Sequence, residues 1–112
     1  MSSQADISTA FLSHAAHAIA PYVSGAQIIR ITSAYAVDYN KELPYPISPH
    51  NAPNKQSALL ENLRVFEPSQ QYQIIQELCD RVTAEVSRPN IVELKLKLIA
   101  QYGAFIYQYG YW

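Results

Sequence analysis

The sequence has few of the residues on which most enzyme chemistry depends. It contains one cysteine, Cys79, and three isolated glycines in 112 residues. A single cysteine cannot form an internal disulfide, and isolated glycines exclude a glycine-rich phosphate-binding loop. The nine carboxylates are spread along the chain, so no neighbouring pair indicates an acid–base couple. The sequence therefore predicts a protein that is not an enzyme.

Positive charge and long apolar runs are also scarce. Eight Lys and Arg against nine Asp and Glu give a net charge of −1, and no basic run occurs, so we expect no nucleic-acid partner. No window approaches the roughly 18 apolar residues that a membrane-spanning helix needs. The first six residues lack the basic start of a signal peptide. Together with the free cysteine, these absences predict a soluble cytoplasmic protein without a membrane partner.

Apolar residues at helical spacing predict an all-α fold. At 112 residues the chain is expected to form a single helical domain, with its core over about residues 7–102 and an aromatic C-terminal tail at 104–112. The predicted architecture is a compact bundle of about five helices: Asp6–Val23, Ala26–Tyr39, two helices within Asn54–Val82, and Ile91–Tyr102. The first helix is expected to begin with a cap at Asp6 or Ser8, and the second with a cap at Ser24.

The two central helices are joined by a tight corner at Pro68. Before it, Leu59, Leu63 and Phe66 form one apolar stripe at helical spacing. After it, a second stripe runs through Tyr72, Ile75, Cys79 and Val82, widened by Ile74 and Leu78. Proline ends one helix and is tolerated in the first turn of the next. The short connection predicts that the helices fold back and bury the two stripes together.

A proline-rich loop is predicted between the second and third helices, at Asn40–Pro53. It contains four of the seven prolines: Pro44, Pro46, Pro49 and Pro53. This density excludes helix and favours an extended path. Leu43, Tyr45 and Ile47 alternate with the prolines and are expected to pin the loop to the bundle.

The last helix has an ambiguous pattern. Its apolar residues alternate as they would in a strand, at Val92, Leu94, Leu96 and Leu98. Leucine, glutamate and lysine nevertheless favour a helix, and Glu93 and Lys97 form an i, i+4 pair. Gly103 stands where a glycine that ends a helix is expected.

Three histidines are the candidate metal ligands, and Cys79 is the candidate for a Cys–His pair. His14 and His17 lie at i, i+3 on the first helix, and His50 lies in the proline-rich loop. Zinc requires three or four ligands, and the neighbouring sequence does not supply them. Cys79 lies on an apolar stripe, where an inert buried thiol is expected. We therefore predict no metal and no cofactor.

Aromatic and charged residues supply the candidate partner-binding positions. Tyrosine and tryptophan are enriched at protein interfaces, and the tail is rich in both. Its packing on the core is an equally good interpretation. Charged residues of the second and third helices and the adjoining loop are further candidates, since charge pairing gives register and specificity. The candidates are Lys41, Glu42, Lys55, Glu61, Arg64, Tyr107, Tyr109, Tyr111 and Trp112.

Three features together resemble a group of bacterial modules. They are the start of the second helix, the proline-rich loop and the central helix pair, with matching positions at Ser24, Gly25, Ile28, Ile29, Tyr35, Asn54, Lys55, Ala58–Leu63, Pro68, Tyr72, Ile75, Glu77 and Leu78. Over about residues 8–82 the chain resembles the small helical effector-associated (adaptor, death-fold-like) domains of bacterial conflict and antiphage systems. The resemblance implies a non-enzymatic domain that recruits a partner or effector by homotypic contact.

The sequence thus predicts a protein–protein interaction (adaptor) module in bacterial defence or signalling. The candidate partners are a like helical domain on an effector and a second copy of the chain. Two alternatives stay open. A small-ligand-binding or regulatory (inhibitor) protein would use the aromatic residues to line a pocket. A helical DNA-binding protein, the less favoured alternative, would use Lys95 and Lys97.

Overall fold

The computed structural model describes residues 6–45 and 54–104 of the chain. Within these ranges the fold is an all-α bundle, as predicted, and it contains five α-helices. They are α1 (Thr9–Ile19), α2 (Gly25–Tyr39), α3 (Lys55–Leu63), α4 (Pro68–Val82) and α5 (Pro89–Leu98). A 3₁₀ turn, Ala20–Tyr22, follows α1, and a π-helical turn, Ile99–Gly103, continues α5. In the described ranges, no helix has the length and apolar character to cross a bilayer.

Side-chain caps set the beginnings of the first two helices. The Ser8 hydroxyl accepts a hydrogen bond from the Phe11 N–H, so α1 begins at Thr9 and not at Asp6. The predicted cap at Ser24 is confirmed: its hydroxyl accepts from the Gln27 N–H, and the Gln27 side chain accepts from the Ser24 N–H. Each such cap supplies a partner to backbone groups that the helix cannot bond itself.

The predicted corner between α3 and α4 is confirmed. Pro68 occupies the first turn of α4, and the Gln70 side chain accepts from the Glu67 N–H at 2.9 Å. Leu59 and Leu63 are fully buried and Phe66 is nearly so. Every apolar residue predicted for the second stripe is also buried: Tyr72, Ile74, Ile75, Leu78, Cys79 and Val82. The corner therefore builds the centre of the core, against which α1, α2 and α5 pack.

The proline-rich loop is described as far as Tyr45. Asn40 ends α2 in the left-handed conformation, at φ 57°, which asparagine tolerates better than most residues. Leu43 is buried, as predicted for a residue that pins the loop to the bundle, and Tyr45 is half-buried. Ile47 lies outside the described residues.

The prediction for Gly103 is wrong. Helical backbone continues through Gly103 to Ala104, and none of the described glycines has a positive φ. Gly103 is buried, and a Cβ atom there would lie 3.1 Å from the Tyr72 hydroxyl oxygen. Its role is therefore close packing against α4. The ring of Tyr102 packs edge-on against Phe11, with the centroids 5.3 Å apart.

Candidate interaction surface

Helix α5 carries apolar side chains on two separate faces. Its inner face is formed by Ile91, Leu94 and Leu98, which are at most 1% exposed. The alternation that resembles a strand places the other large apolar residues elsewhere on the helix, at a spacing of i, i+4 and i+7. These are Val92, Leu96 and Ile99, with exposed fractions of 46%, 61% and 41%. A surface helix normally has a single apolar stripe, so a second one is unusual.

We call the second surface the outer apolar face of α5; it consists of Pro89, Val92, Leu96, Ile99 and Ala100. All five residues are exposed. At 1.5 Å per residue the face extends for about 16 Å along the helix. Contiguous exposed apolar surface is characteristic of binding sites, whereas single exposed aliphatic residues are ordinary. Val37 on α2 is such a single residue, at 80% exposure.

Two cations on one flank of this face are engaged with the rest of the fold. Lys95 binds the Asp80 carboxylate on α4, with an Nζ–Oδ1 distance of 2.5 Å. The Arg88 guanidinium lies over the Tyr22 ring, 4.1 Å from its centroid, and donates to the Val82 carbonyl. The cationic groups of Lys95 and Arg88 therefore interact mainly with other groups of the same chain.

The opposite flank carries Glu93 and Lys97. Their side chains are 69% and 51% exposed, and Nζ lies 4.0 Å from Oε2, at the limit of an ion pair. Exposed pairs at this spacing contribute only a few tenths of a kcal/mol. Breaking this pair so that Glu93 and Lys97 can contact a partner would therefore cost little free energy.

Four of the predicted partner-binding charges lie at or near the ends of α2 and α3. Lys41 pairs with the Glu67 carboxylate at 3.3 Å, and Arg64 pairs with Glu61 at 3.5 Å. Glu42 is exposed. These are charges of the kind usually found on solvated helix ends, and their role in binding stays a prediction.

Lys55 is half-buried and differs from the other four charges because it contacts the backbone of another segment. Its ammonium donates to the Val23 carbonyl at 2.9 Å, so it links the start of α3 to the segment before α2. A change at Lys55 is therefore expected to affect folding as well as any binding. The other predicted binding residues, Tyr107, Tyr109, Tyr111 and Trp112, lie outside the described residues.

Sequence reasoning missed a buried polar cluster around Asn62. The Asn62 side chain is completely buried and donates to the Thr32 hydroxyl and the Tyr45 carbonyl, each at 3.2 Å. Its carbonyl oxygen accepts from the Tyr45 N–H at 3.1 Å. One side chain thus joins α3, α2 and the first part of the loop. The only indication in the sequence is an asparagine placed three residues after Leu59, on the apolar side of the helix.

The tyrosines of α2 connect it to α4. The Tyr35 hydroxyl donates to the Glu77 carboxylate at 2.6 Å, and the Tyr39 hydroxyl donates to Gln73 at 2.7 Å. An open groove of about 400 Å³ runs beside them, lined by Arg30, Ile31, Ala34, Tyr35, Asp38, Glu77 and Arg81. Because the two hydroxyls are engaged between helices, this groove gives the small-ligand alternative little specific support.

The histidines occupy exposed positions on α1. His14 is exposed, and His17 Nδ1 lies 3.2 Å from the Gln56 side-chain oxygen. Among residues 6–45 and 54–104, no three His, Cys, Asp or Glu side chains lie close enough together to hold a metal ion. His50 lies outside these ranges.

Cys79 is buried within α4, as predicted, with 1% of its surface exposed. Burial raises the pKa of its thiol to about 12, and the Asp80 carboxylate acts in the same direction. Since the thiolate is the reactive form, this environment suppresses nucleophilic chemistry at neutral pH.

Alkylation of Cys79 is therefore expected to be slow in the folded protein. With the pKa at about 12 and not near 9, at about pH 8 the thiolate population is roughly a thousandfold lower than in the unfolded chain. Reaction with iodoacetamide, followed by mass spectrometry, should be at least that much slower than in concentrated guanidinium chloride. Equal rates in the two conditions would contradict the burial of the thiol.

Comparison with known proteins finds no matching family model, no matching curated sequence and no matching solved structure. The resemblance to effector-associated domains therefore stays a prediction.

Proposed function

We propose that this protein is a protein–protein interaction module that binds its partner through the outer apolar face of α5. The observation that carries the proposal is the exposure of Val92, Leu96 and Ile99 on one side of a single helix. Covering apolar surface is favourable by about 25 cal/mol per Å², so this face gains free energy when a partner covers it. The proposal assigns no catalytic role to any residue.

The residues around the face are those expected around a binding site and not around apolar side chains left exposed by incomplete packing. Its centre is aliphatic, and the charged residues stand at its edges, as in interfaces with an apolar core and a polar rim. The inner face of the same helix is fully packed, so α5 is held rigidly while its other side faces outward. A surface fixed in this way loses little conformational freedom on binding.

An adaptor role in bacterial defence is the more specific form of the proposal. It is supported by the resemblance of residues 8–82 to effector-associated domains. In this form the chain recruits an effector that carries a like helical domain. Recognition of DNA has weaker support, because Lys95 is bound to the Asp80 carboxylate and Lys97 alone would make few phosphate contacts.

Replacing Leu96 with glutamate is expected to abolish partner binding and leave the fold intact. A charge at the centre of the face would be buried without a partner in the complex, whereas in the free protein it stays in water. We expect at least a hundredfold loss of affinity, about 2.7 kcal/mol. The free energy of unfolding should change by no more than about 0.5 kcal/mol.

The matched control is Val37→Glu, which introduces the same charge at an isolated exposed aliphatic residue. Tagged wild-type and variant proteins are incubated with native lysate, and the bound proteins are identified by mass spectrometry. The proposal requires a protein that is retained by the wild type and Val37→Glu and lost with Leu96→Glu. A partner retained equally by all three would place the binding surface elsewhere.

A further inference from the structure

We infer that the outer apolar face of α5 pairs with the same face of a second copy of this chain, with the two helices antiparallel. This inference rests on the proposed function and specifies the partner. It comes from the order of residues along the face and from the position of the charges beside it.

The order of the apolar residues along the face is self-complementary when a second copy runs in the opposite direction. Leu96 lies between Val92, one turn before it, and Ile99, about one turn after it. A two-fold axis passing beside Leu96 places Leu96 next to the partner's Leu96, and Val92 opposite the partner's Ile99. In a two-fold interface each contact occurs twice, so every large aliphatic side chain of the face acquires an aliphatic neighbour.

The charges on the exposed flank select the antiparallel direction. An axis perpendicular to the helices, lying in the contact plane, brings the same flank of both copies together. It also reverses the order of residues, so Glu93 approaches the partner's Lys97 and Lys97 approaches the partner's Glu93. A parallel two-fold pair would instead bring this flank against the partner's opposite flank. There Lys97 would approach the partner's Lys95, and like charges brought together across an interface are unfavourable. Glu93 would meet cations that are already engaged within their own chain.

The positive charge on the other flank does not strongly disfavour the antiparallel arrangement. Lys95 lies near the two-fold axis and would approach the partner's Lys95. Its ammonium, however, is bound to the Asp80 carboxylate of its own α4, and its side chain is only 34% exposed. The local repulsion between the two copies is thereby reduced.

The size of the face predicts a weak and reversible dimer. It spans about three turns of one helix, which places it in the smallest class of specific interfaces. The 112-residue chain is therefore expected to be monomeric at low concentration and dimeric at high concentration. Sedimentation velocity over a range from about 10 μM to about 1 mM would measure this equilibrium.

Two single charge reversals test the direction of pairing. In a dimer of Glu93→Lys, or of Lys97→Glu, both intermolecular pairs become like-charged, and we expect roughly a tenfold weaker dimer in each case. An equimolar mixture of the two variants restores both opposite-charge pairs, so it is expected to form a heterodimer with about the wild-type affinity. The controls are Asp38→Lys and Arg30→Glu, which make the same charge changes at exposed positions on α2.

Several outcomes would overturn the inference. A dimer whose affinity is the same in all four variants would place the contact elsewhere, and two single variants that do not recover when mixed would exclude the antiparallel pairing. A chain that stays monomeric but captures a different protein in a manner sensitive to Leu96→Glu would refute self-pairing and leave the proposed function standing. If the chain stays monomeric and Leu96→Glu lowers its melting temperature strongly, the chain itself covers the face, and both proposals fail.

Discussion

Replacing Asn62 with aspartate is expected to destabilise the fold by about 3–5 kcal/mol at neutral pH. The two side chains have nearly the same shape, so packing is unchanged. The substitution replaces the amide NH₂, which donates to the Thr32 hydroxyl and the Tyr45 carbonyl, with a carboxylate oxygen that cannot donate. A negative charge would then lie in a fully buried position beside two oxygen atoms.

Asn54→Asp is the matched control for this substitution. Asn54 is exposed and caps α3 by accepting from the Ser57 N–H at 2.8 Å. Aspartate caps helices as well as asparagine does, so this variant should stay within about 0.5 kcal/mol of the wild type. Urea unfolding followed by circular dichroism measures both variants. A loss below about 1 kcal/mol for Asn62→Asp would mean that water reaches this side chain.

The second large effect is expected for Leu63→Ala, a loss of about 2–5 kcal/mol in the free energy of unfolding. Leu63 is completely buried at the centre of the core, and its removal leaves a cavity between packed helices. Leu96→Ala removes the same atoms from an exposed position and is the control. At protein concentrations where the chain is monomeric, it should change stability by no more than about 0.5 kcal/mol. Equal losses for the two leucines would show that α5 is placed incorrectly against the core.

Much of the fold could be predicted because local signals and burial agree. Ser24 caps α2, Pro68 starts α4, and Leu59 and Leu63 face the core. Each of these features depends on backbone chemistry or helical spacing, and both can be read from the residue types and their positions in the sequence. Even the ambiguous α5 could be assigned, because its residues favour a helix over a strand.

The features that could not be predicted depend on contacts distant in sequence. Gly103 follows the usual pattern for a helix end, yet the Tyr72 hydroxyl occupies the space beside it and the helix continues. The pairing of Lys55 with Val23 depends on how α3 meets the chain before α2. Neither helical periodicity nor residue type contains this information.

The outer apolar face of α5 could not be predicted from the sequence for a different reason. Val92 and Leu96 were recognised as apolar residues of a helix, but periodicity assigns residues to faces without showing which face the bundle covers. The sequence therefore predicts binding by charges at or near the ends of α2 and α3, whereas the candidate surface lies on α5. Asn62 was missed for the opposite reason, because a polar residue on a helix is usually taken to be exposed.

The contact between Ser8 and Tyr102 has a consequence for how this domain can be joined to others. The Ser8 N–H lies 3.4 Å from the Tyr102 hydroxyl oxygen, so the first turn of α1 meets the last turn of the described chain. The two ends of the described chain, near Ser8 and Tyr102, therefore lie on the same side of the bundle. Chain ends on the same side of a domain favour its insertion into a loop of a host protein.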